Sequence, residues 1–212
     1  MGSLQRFNLK KIRDVYNIDA FVETGTLTGC GVRLAIESGM NQIHSIEIDP
    51  EYYFRAVNMF RGNQTVSLHL GSSHQVLPGL LEHYQIQENT LFWLDAHFPL
   101  ADKGEVAYNH ETDASKRMPL LSELEAIVKH RANFNDVIII DDLRCFVDDP
   151  RIRADSFDEH MRKLGARGVG CNRKDIVGID LETILSTATN RYRHELQFDD
   201  EGYIILVRSS FS

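Results

Sequence analysis

Short apolar runs and longer stretches of helical periodicity alternate along the first two thirds of the chain. The apolar runs predict β-strands, and the stretches between them predict helices with one apolar face. Regular alternation of strand and helix is typical of a parallel sheet with right-handed crossovers and helices on both faces. The predicted strands are 20–23, 42–48, 66–70, 90–94 and 137–140, and the predicted helices are 4–16, 32–38, 51–60, 73–83 and 120–130.

The last third of the chain breaks this alternation. Residues 142–178 are charged and irregular apart from a short helical pattern over 157–164. Asp180 is a suitable N-cap for a last helix, and the sequence after that helix predicts an antiparallel hairpin closed by a polar turn. The predicted bounds are 181–187 for the helix and 192–198 and 203–207 for the two strands.

Together these elements predict an α/β, doubly wound fold in which five parallel strands are followed by a C-terminal antiparallel hairpin. We interpret residues 1–212 as a single domain. Within it, residues 1–17 are interpreted as an amino-terminal helix, 98–118 as a lid-like insertion and 143–178 as an irregular insertion.

Composition narrows the class of protein. The formal net charge of -8 and the pI near 5.6 argue against nucleic acid as a partner. The three cysteines, Cys30, Cys145 and Cys171, are far apart and odd in number, which favours a reducing compartment. Neither a signal peptide nor a membrane-spanning run is evident. We therefore expect a cytoplasmic protein without a membrane partner, and the amphipathic amino-terminal helix could serve a homodimer.

A glycine-rich turn joins the first predicted strand to the next helix. Gly25, Gly29 and Gly31 allow backbone conformations closed to other residues, so a ligand could approach the main chain closely. Glu23, at the strand tip, could bind a cationic amine. The turn lacks the Gly-Lys-Ser/Thr ending of a phosphate-binding loop, and its spacing misses the G-x-G-x-x-G pattern. Taken alone, the turn is equally consistent with a tight structural connection.

Polar residues also follow the second and third predicted strands. Glu47 stands about twenty residues beyond the glycine turn, where an acid can accept hydrogen bonds from both ribose hydroxyls of a nucleotide. Asp49, directly before a proline, is better explained as a helix cap. After the third strand, Ser72, Ser73 and His74 could line an adenine pocket, or one of the serines could cap the next helix.

Three carboxylates follow the remaining two parallel strands. Asp95 comes after 90–94, and Asp141 and Asp142 come after 137–140. Neighbouring strands lie about 4.8 Å apart, so the three groups would share a small volume. Such clustering raises at least one pKa unless a cation compensates it, and Mg²⁺ or Ca²⁺ prefers carboxylate oxygens. The alternative is that Asp141 or Asp142 caps a short following helix.

His97 stands two residues beyond Asp95, where its side chain could reach a bound substrate. A histidine in that place is a candidate general base. It is also one of nine histidines in the chain, and most histidines are surface or core residues with no chemical role.

Five short motifs occur in the order and spacing of class I S-adenosylmethionine (SAM)-dependent methyltransferases: Glu-Thr-Gly-x-x-x-Gly, Ile-Glu-Ile-Asp-Pro, Gly-Ser-Ser-x-x-Val-Leu-Pro, Leu-Asp-Ala-His and Ile-Asp-Asp. They most resemble the cation-dependent O-methyltransferases, the group of catechol O-methyltransferase and the macrocin-type sugar O-methyltransferases. The resemblance covers about residues 20–142 and the terminal hairpin. It implies a Rossmann-like methyltransferase fold with strand order 3-2-1-4-5-7-6.

The resemblance also implies which residues would bind SAM. Glu23 and the backbone of 25–29 would hold the methionine portion, Glu47 the ribose, and Ser73 and His74 would border the adenine. The cofactor-binding set implied in this way is Glu23, Thr24, Gly25, Thr26, Gly29, Glu47, Ile48, Gly71, Ser72, Ser73, His74 and Asp95.

For the chemistry, the resemblance implies in-line transfer of the SAM methyl group to a hydroxyl of a small acceptor such as a sugar or a phenol. Asp95, Asp141 and Asp142 would bind Mg²⁺ or another divalent cation, and Asp95 and His97 would be the catalytic residues. Phe98 occupies the place of the lysine base of catechol-type enzymes. His97 occupies the place of a second acid in the macrocin-type group and could do the same work.

Three alternatives remain open at this level. The chain could be a methyltransferase that uses no metal, with the aspartates serving as caps or acceptor contacts. It could be an NAD-binding oxidoreductase, since Glu47 would suit that ribose as well, although the glycine spacing and the terminal hairpin argue against it. It could also be a non-catalytic binding protein with a SAM-binding fold, which the missing lysine allows.

Overall fold

Seven strands form one mixed sheet in the computed structural model of the chain, in the order β3-β2-β1-β4-β5-β7-β6. The structure describes residues 3–83, 86, 88–99, 101, 110–152 and 176–209. Strands β1 to β5 are parallel, and β7 lies antiparallel between β5 and β6. The predicted fold class, strand order and hairpin are confirmed. The strands are β1 (Ala20–Thr24), β2 (Gln42–Glu47), β3 (Val66–Leu70), β4 (Thr90–Leu94), β5 (Val137–Ile140), β6 (Tyr192–Gln197) and β7 (Tyr203–Arg208).

The described residues include seven α-helices. The helices are α1 (Leu9–Tyr16), α2 (Cys30–Glu37), α3 (Pro50–Met59), α4 (Ser73–Glu82), α5 (Ala114–Arg117), α6 (Leu120–His130) and α7 (Leu181–Ala188). Helix α5 lies within the predicted lid and was not foreseen from the sequence. Asp180 caps α7 as predicted, because its side chain accepts the N–H of Thr183 at 2.8 Å. The helical pattern over 157–164, Cys171 and residues 102–109 of the lid lie outside the described residues.

The amino-terminal segment differs from its prediction as one continuous helix. A 3-10 turn, Leu4–Arg6, is followed by an extended residue, and α1 begins only at Leu9. The break arises because the side chain of Asn8 accepts a hydrogen bond from the N–H of Lys11 at 2.9 Å, which makes Asn8 an N-cap. A cap satisfies an N–H that a continuous helix would have bonded to its own backbone.

The three central strands are buried over their whole length, so each face of the sheet carries an apolar layer. Helices α4, α6 and α7 cover one face, and α1 and α2 cover the other. Burying each aliphatic side chain of these layers stabilises the fold by about 1.5–3 kcal/mol. Among the described residues, no helix has the length and apolar character needed to cross a membrane. The two layers hold the carboxyl ends of β1 to β5 at one fixed edge.

A buried ion pair closes the opposite edge of the sheet. Arg131, after α6, donates from Nε and Nη2 to the two carboxylate oxygens of Asp136 at 2.9 and 2.8 Å. Nη1 also donates to the carbonyl of Ile86 at 2.7 Å, and Asp136 accepts the N–H of Thr90 at 2.8 Å. The guanidinium lies 3.6 Å from the ring centroid of Phe134. The pair thereby joins the starts of β4 and β5.

Candidate active site

An open cleft of about 870 Å³ lies at the carboxyl ends of the parallel strands. Ligands of doubly wound folds bind at this edge. Each of the five parallel strands contributes the residues that follow it. The lining residues used below are Gly25, Leu27, Glu47, Ile48, Asp49, Gly71, Ser72, Ser73, Asp95, His97, Lys116, Asp141 and Asp142.

The glycine turn after β1 forms one wall of the cleft through its backbone. Gly25 has φ +91°, and a Cβ on it would lie 3.1 Å from the carbonyl oxygen of Asp95. Its N–H donates to the carbonyl of Ile46 at 2.9 Å. Only glycine fits there without strain. The turn is therefore pressed against the ends of β2 and β4 and leaves its inner surface open to the cleft.

Glu23 does not line the cleft, although it belongs to the predicted cofactor-binding set. It is 2% exposed, and its Oε1 accepts a hydrogen bond from the hydroxyl of Ser45 at 2.7 Å. A Cβ on Gly31 would lie 1.8 Å from its Oε2, so α2 packs directly against the carboxyl group. Burial raises the pKa of Glu23 to about 8. The side chain thus supports the glycine turn from below.

Four other residues of the predicted cofactor-binding set also lie outside the cleft lining. The hydroxyl of Thr24 accepts the N–H of Asp95 at 3.2 Å, and the hydroxyls of Thr26 and Ser45 are 2.5 Å apart. Gly29 begins α2 with φ 72°. His74 lies behind the wall, where its ring nitrogens contact the hydroxyls of Ser72 at 2.7 Å and Ser115 at 3.4 Å. These residues shape the wall rather than face the cleft.

Glu47 is fixed in the cleft by two backbone donors. Its Oε2 accepts the N–H of Leu27 at 2.8 Å, and its Oε1 accepts the N–H of Asp49 at 2.8 Å. A carboxylate can accept about four hydrogen bonds, so two positions remain for ligand hydroxyls. Asp49 itself is the N-cap of α3 and accepts the N–H of Glu51 at 2.7 Å, as predicted. The end of β2 therefore presents one rigidly held acceptor to the cleft.

The turn after β3 supplies polar groups on the same side. Ser72 occupies the N-cap position of α4, but its side chain forms no capping hydrogen bond with the helix backbone. Its hydroxyl contacts His74 instead. Ser72, Ser73 and Gly71 line the cleft next to Glu47 and Ile48. This group of residues is the part of the cleft best suited to a nucleoside.

The three predicted carboxylates converge at the other end of the cleft. Asp141 is 2% and Asp142 is 5% exposed, whereas the side chain of Asp95 is 31% exposed. Burial raises the pKa of Asp141 well above its ordinary value, and the neighbouring charges of Asp95 and Asp142 raise it further. All three carboxylates thus line the cleft, but among the described residues they are not a group whose oxygens lie close enough together to hold a cation, so their role as metal ligands stays a prediction.

Asp142 is engaged on both of its oxygens. Oδ2 lies 2.8 Å from Nε2 of His97, and Oδ1 accepts a hydrogen bond from Nε of Arg144 at 3.2 Å. Burial alone would raise the pKa of Asp142, but the hydrogen bond and charge of His97 and the charge of Arg144 lower it. Its side chain forms no helix-capping bond. The side chain of Asp142 therefore orients His97 and does not cap a following helix.

His97 is held between two acids. Its side chain is 8% exposed, and its Nδ1 lies 3.8 Å from Oδ1 of Asp95. When Nε2–H donates to Asp142, the lone pair of Nδ1 is directed away from that acid and can take a proton from a bound hydroxyl. An imidazole oriented by a carboxylate is the arrangement that activates oxygen nucleophiles in many enzymes. The geometry supports His97 as a general base.

Arg144 and Cys145 are site residues that sequence reasoning missed. Both follow Asp142 in a 3-10 turn, Leu143–Cys145, and their position directly after the predicted carboxylates was the available signal. Donor atoms of His97, Asp142 and Cys145 lie within 4.8 Å of one another. Imidazole and thiolate donors suit Zn²⁺ better than Mg²⁺. This donor set therefore does not reproduce the predicted magnesium site.

The described part of the predicted lid contributes to the lining of the cleft. Helix α5 brings Lys116 to the lining. The carbonyl of Arg117 accepts the N–H of Phe98 at 2.8 Å, and its Nε donates to the carbonyl of Ile176 at 2.9 Å. Asp113 caps this short helix through the N–H of Ser115 at 3.0 Å. The segment is thus tied to the residues that follow β4.

Comparison with known proteins extends the assignment of the fold. No protein-family model matches the sequence, and no curated protein is significantly similar to it. Solved structures do resemble it. The SAH-bound methyltransferase PaMTH1 of Podospora anserina has a TM-score of 0.60 and 13% identity, and the match covers 99% of this chain and 80% of that one. SAH, here and below, is S-adenosylhomocysteine, the product that SAM leaves after methyl transfer.

Two further structures match over similar lengths. The O-methyltransferase of Bacillus cereus in complex with SAH has a TM-score of 0.60 and 14% identity, with 99% of this chain and 82% of that one covered. TomG of Streptomyces achromogenes, an O-methyltransferase involved in tomaymycin synthesis and bound to SAM, has a TM-score of 0.54 and 13% identity, with the same coverage. At these identities the likeness confirms the predicted methyltransferase fold.

Proposed function

We propose that the chain is a SAM-dependent O-methyltransferase that acts on a hydroxyl of a small acceptor such as a sugar or a phenol. The observation that carries the proposal is the position of His97, which Asp142 orients at one end of a cleft whose other end presents Glu47. A nucleoside site and a general base therefore share one cleft. The solved structures of this fold with SAM or SAH bound support the same choice of cofactor.

The chain's own groups fit the proposed cofactor. Glu47 keeps acceptor positions for the ribose hydroxyls, Gly25 allows close approach to the backbone, and Ser72 and Ser73 border the space for the base. We assign Glu23 to the support of the glycine turn, because its carboxyl is covered by α2. When bound, SAM supplies a methyl group already activated by a positively charged sulfur, so the protein's main tasks are positioning and proton removal.

Proton removal falls to His97. An acceptor hydroxyl next to Nδ1 gives its proton to the imidazole while Asp142 keeps the ring in place. Arg144 fixes Asp142 in turn, so the base is held by two successive buried contacts. Such pre-orientation lowers the barrier because less reorganisation is required as the reaction proceeds.

Metal assistance is the second candidate, and it is supported by the convergence of Asp95 and Asp141 in the cleft. Asp142 fits a cation less well, because Arg144 and His97 already occupy its oxygens. Mg²⁺ is commonly held by one or two carboxylates, with substrate and water oxygens completing its shell. Asp95 and Asp141 would therefore hold it, and the cation would supply a lowered pKa for the acceptor hydroxyl.

Removal of the cation tests this second candidate. We expect excess chelator to abolish most of the methyl transfer, and Asp141→Asn to do the same, while affinity for SAH is retained. The measurement is SAH formation with added Mg²⁺ or chelator. Asp113→Asn, on the exposed rim, is the matched control. Full activity in excess chelator would leave the metal-independent alternative.

Calorimetric titration with SAH tests the proposed function itself. We expect micromolar binding of SAH and no binding of NAD. Glu47→Gln should weaken SAH binding about 10- to 100-fold, since a hydrogen bond to a charged group contributes about 1.5–3 kcal/mol. Glu51→Gln, exposed on α3, should leave the affinity unchanged.

Other outcomes would redirect the assignment. Binding of NAD would favour the oxidoreductase alternative. Absence of binding by either molecule would contradict the proposal and indicate a fold used for another purpose.

A further inference from the structure

Glu123 is a buried carboxyl group behind the candidate active site. It belongs to the first turn of α6, and the residue is 1% exposed. Its Oε1 has no hydrogen-bond partner among the described residues. Leaving a buried polar atom unpaired destabilises the fold. An apolar side chain at position 123 would avoid this destabilisation of the fold.

A small side cavity of about 200 Å³ connects Glu123 with the site. Glu123, His97 and Asp141 supply its titratable groups. His97 and Asp141 also line the main cleft, so the side cavity and the cleft share a wall. The remaining lining is apolar and consists of Leu94, Ala96, Met118, Leu120, Ile140 and Phe146. This apolar lining weakly screens the electric field of an ionised Glu123, so the field extends past His97 into the main cleft.

The carboxyl of Glu123 changes its charge near neutral pH. Burial raises its pKa to about 7, and the nearby hydroxyls of Ser73 and Thr24 and the imidazole of His97 offset only part of the rise. A cation placed nearby favours the ionised form of such a group, and removal of the cation favours the protonated form. Asp141, across the same cavity, has its pKa raised further by its own burial.

The next step rests on the proposed function. The reacting sulfur must lie within reach of an acceptor hydroxyl, and that hydroxyl must contact His97. Glu123 lies on the other side of the same histidine. We propose that Glu123 is the buried counter-charge of the cofactor: it is ionised when cationic SAM occupies the cleft and protonated when neutral SAH does.

The proton balance of methyl transfer is consistent with this role. The O–H bond of the acceptor and the S–C bond of the cofactor break, and an O–C bond forms. The sulfur keeps the electron pair of its broken bond, and the acceptor proton passes to His97, which later releases it to solvent. Glu123 takes up a proton from solvent once the sulfonium charge is gone. The site loses the sulfonium charge and the carboxylate charge together, so its net charge is the same before and after the transfer.

Affinities for SAM and SAH between pH 6 and pH 8 test the proposal without any acceptor. In the unaltered protein, the ratio of SAM affinity to SAH affinity should rise about 3- to 10-fold over this range, because SAM binding shifts Glu123 toward its ionised form. In Glu123→Gln this change with pH should be much smaller. Glu23 and Asp141, whose pKa values burial also raises, are present in both proteins and contribute equally to both. Glu125→Gln, exposed on the same helix, should behave like the unaltered protein.

Proton release provides a measurement that requires no variant. Glu123 is about half ionised in the free protein at pH 7. Calorimetry at this pH in buffers of different ionisation enthalpy should therefore show net proton release, of about half a proton, on binding of SAM and net proton uptake on binding of SAH. An equal proton count for both ligands, or the same pH-dependent ratio in Glu123→Gln, would overturn the inference. Failure of the unaltered protein to bind either ligand would instead overturn the proposed function.

Discussion

Replacing His97 with glutamine is expected to lower the rate of methyl transfer about 100- to 10,000-fold, the range typical of a lost general base. Glutamine keeps a polar side chain of similar reach, and its amide can donate to Asp142, but it cannot take a proton from an acceptor hydroxyl. Asp142 would then remain paired while the base is absent. The substitution should therefore lower the rate of methyl transfer without destabilising the fold.

The measurement for His97→Gln is the initial rate of SAH formation, together with the affinity for SAH. Affinity should stay close to that of the unaltered protein, because Glu47 and the glycine turn hold the cofactor end of the cleft. His83→Gln, exposed at the end of α4, is the matched control and should retain full activity. A variant at position 97 with unchanged rate would exclude the histidine as the base.

Replacing Asp136 with alanine is expected to destabilise the fold by about 3–5 kcal/mol, the usual effect of removing one member of a buried ion pair. Arg131 and Asp136 are 2% and 0% exposed. The substitution leaves the guanidinium buried without its acid and leaves the N–H of Thr90 without its acceptor. Arg131 would keep its hydrogen bond to the carbonyl of Ile86, but its charge would be buried without a counter-charge and the N–H of Thr90 would lose its acceptor.

Urea unfolding measures the effect of Asp136→Ala as a lower midpoint at an unchanged slope. Asp149→Ala removes the acid of an exposed pair with Arg151 and should shift the midpoint little, because water screens surface pairs. Affinity for SAH, measured well below the unfolding temperature, should be retained, since this pair lies at the edge of the sheet opposite the cleft. Equal midpoints for the two variants would contradict the account of the buried pair.

The central strands β4 and β5 were predictable because each is an apolar run that is buried on both faces. Val137–Ile140 shows this most plainly, with four buried residues in a row. The ends of parallel strands meet at one edge, so the convergence of Asp95, Asp141 and Asp142 also followed from the order of elements. Such features can be predicted from the sequence because they depend on residues close together along the chain and on the order of the strands.

The burial and the hydrogen-bond partners of individual polar side chains could not be predicted in this way. Glu23 stands at a strand tip like Glu47, yet only Glu47 faces the cleft, because α2 packs onto Glu23 through Gly31. Whether Asp142 is available to a cation depends on His97, which follows a different strand, and on how the side chain of Arg144 folds back onto it within the same turn. Glu123 lies on the apolar face of α6, three residues after Leu120 and four before Ile127, so the periodicity indicates its burial but not that its Oε1 lacks a hydrogen-bond partner. These distinctions arise from tertiary packing.

The turn that carries Asp142 is bound to the hairpin about sixty residues further along the chain. The N–H groups of Leu143 and Arg144 donate to the carbonyls of Gly202 and Glu201 at 2.9 and 3.0 Å. Joining segments so distant in sequence carries a loop-closure entropy and slows folding. The carboxylate of Glu47, by contrast, is held by donors only twenty and two residues away. This acceptor should therefore be in place earlier during refolding than the turn that orients the base.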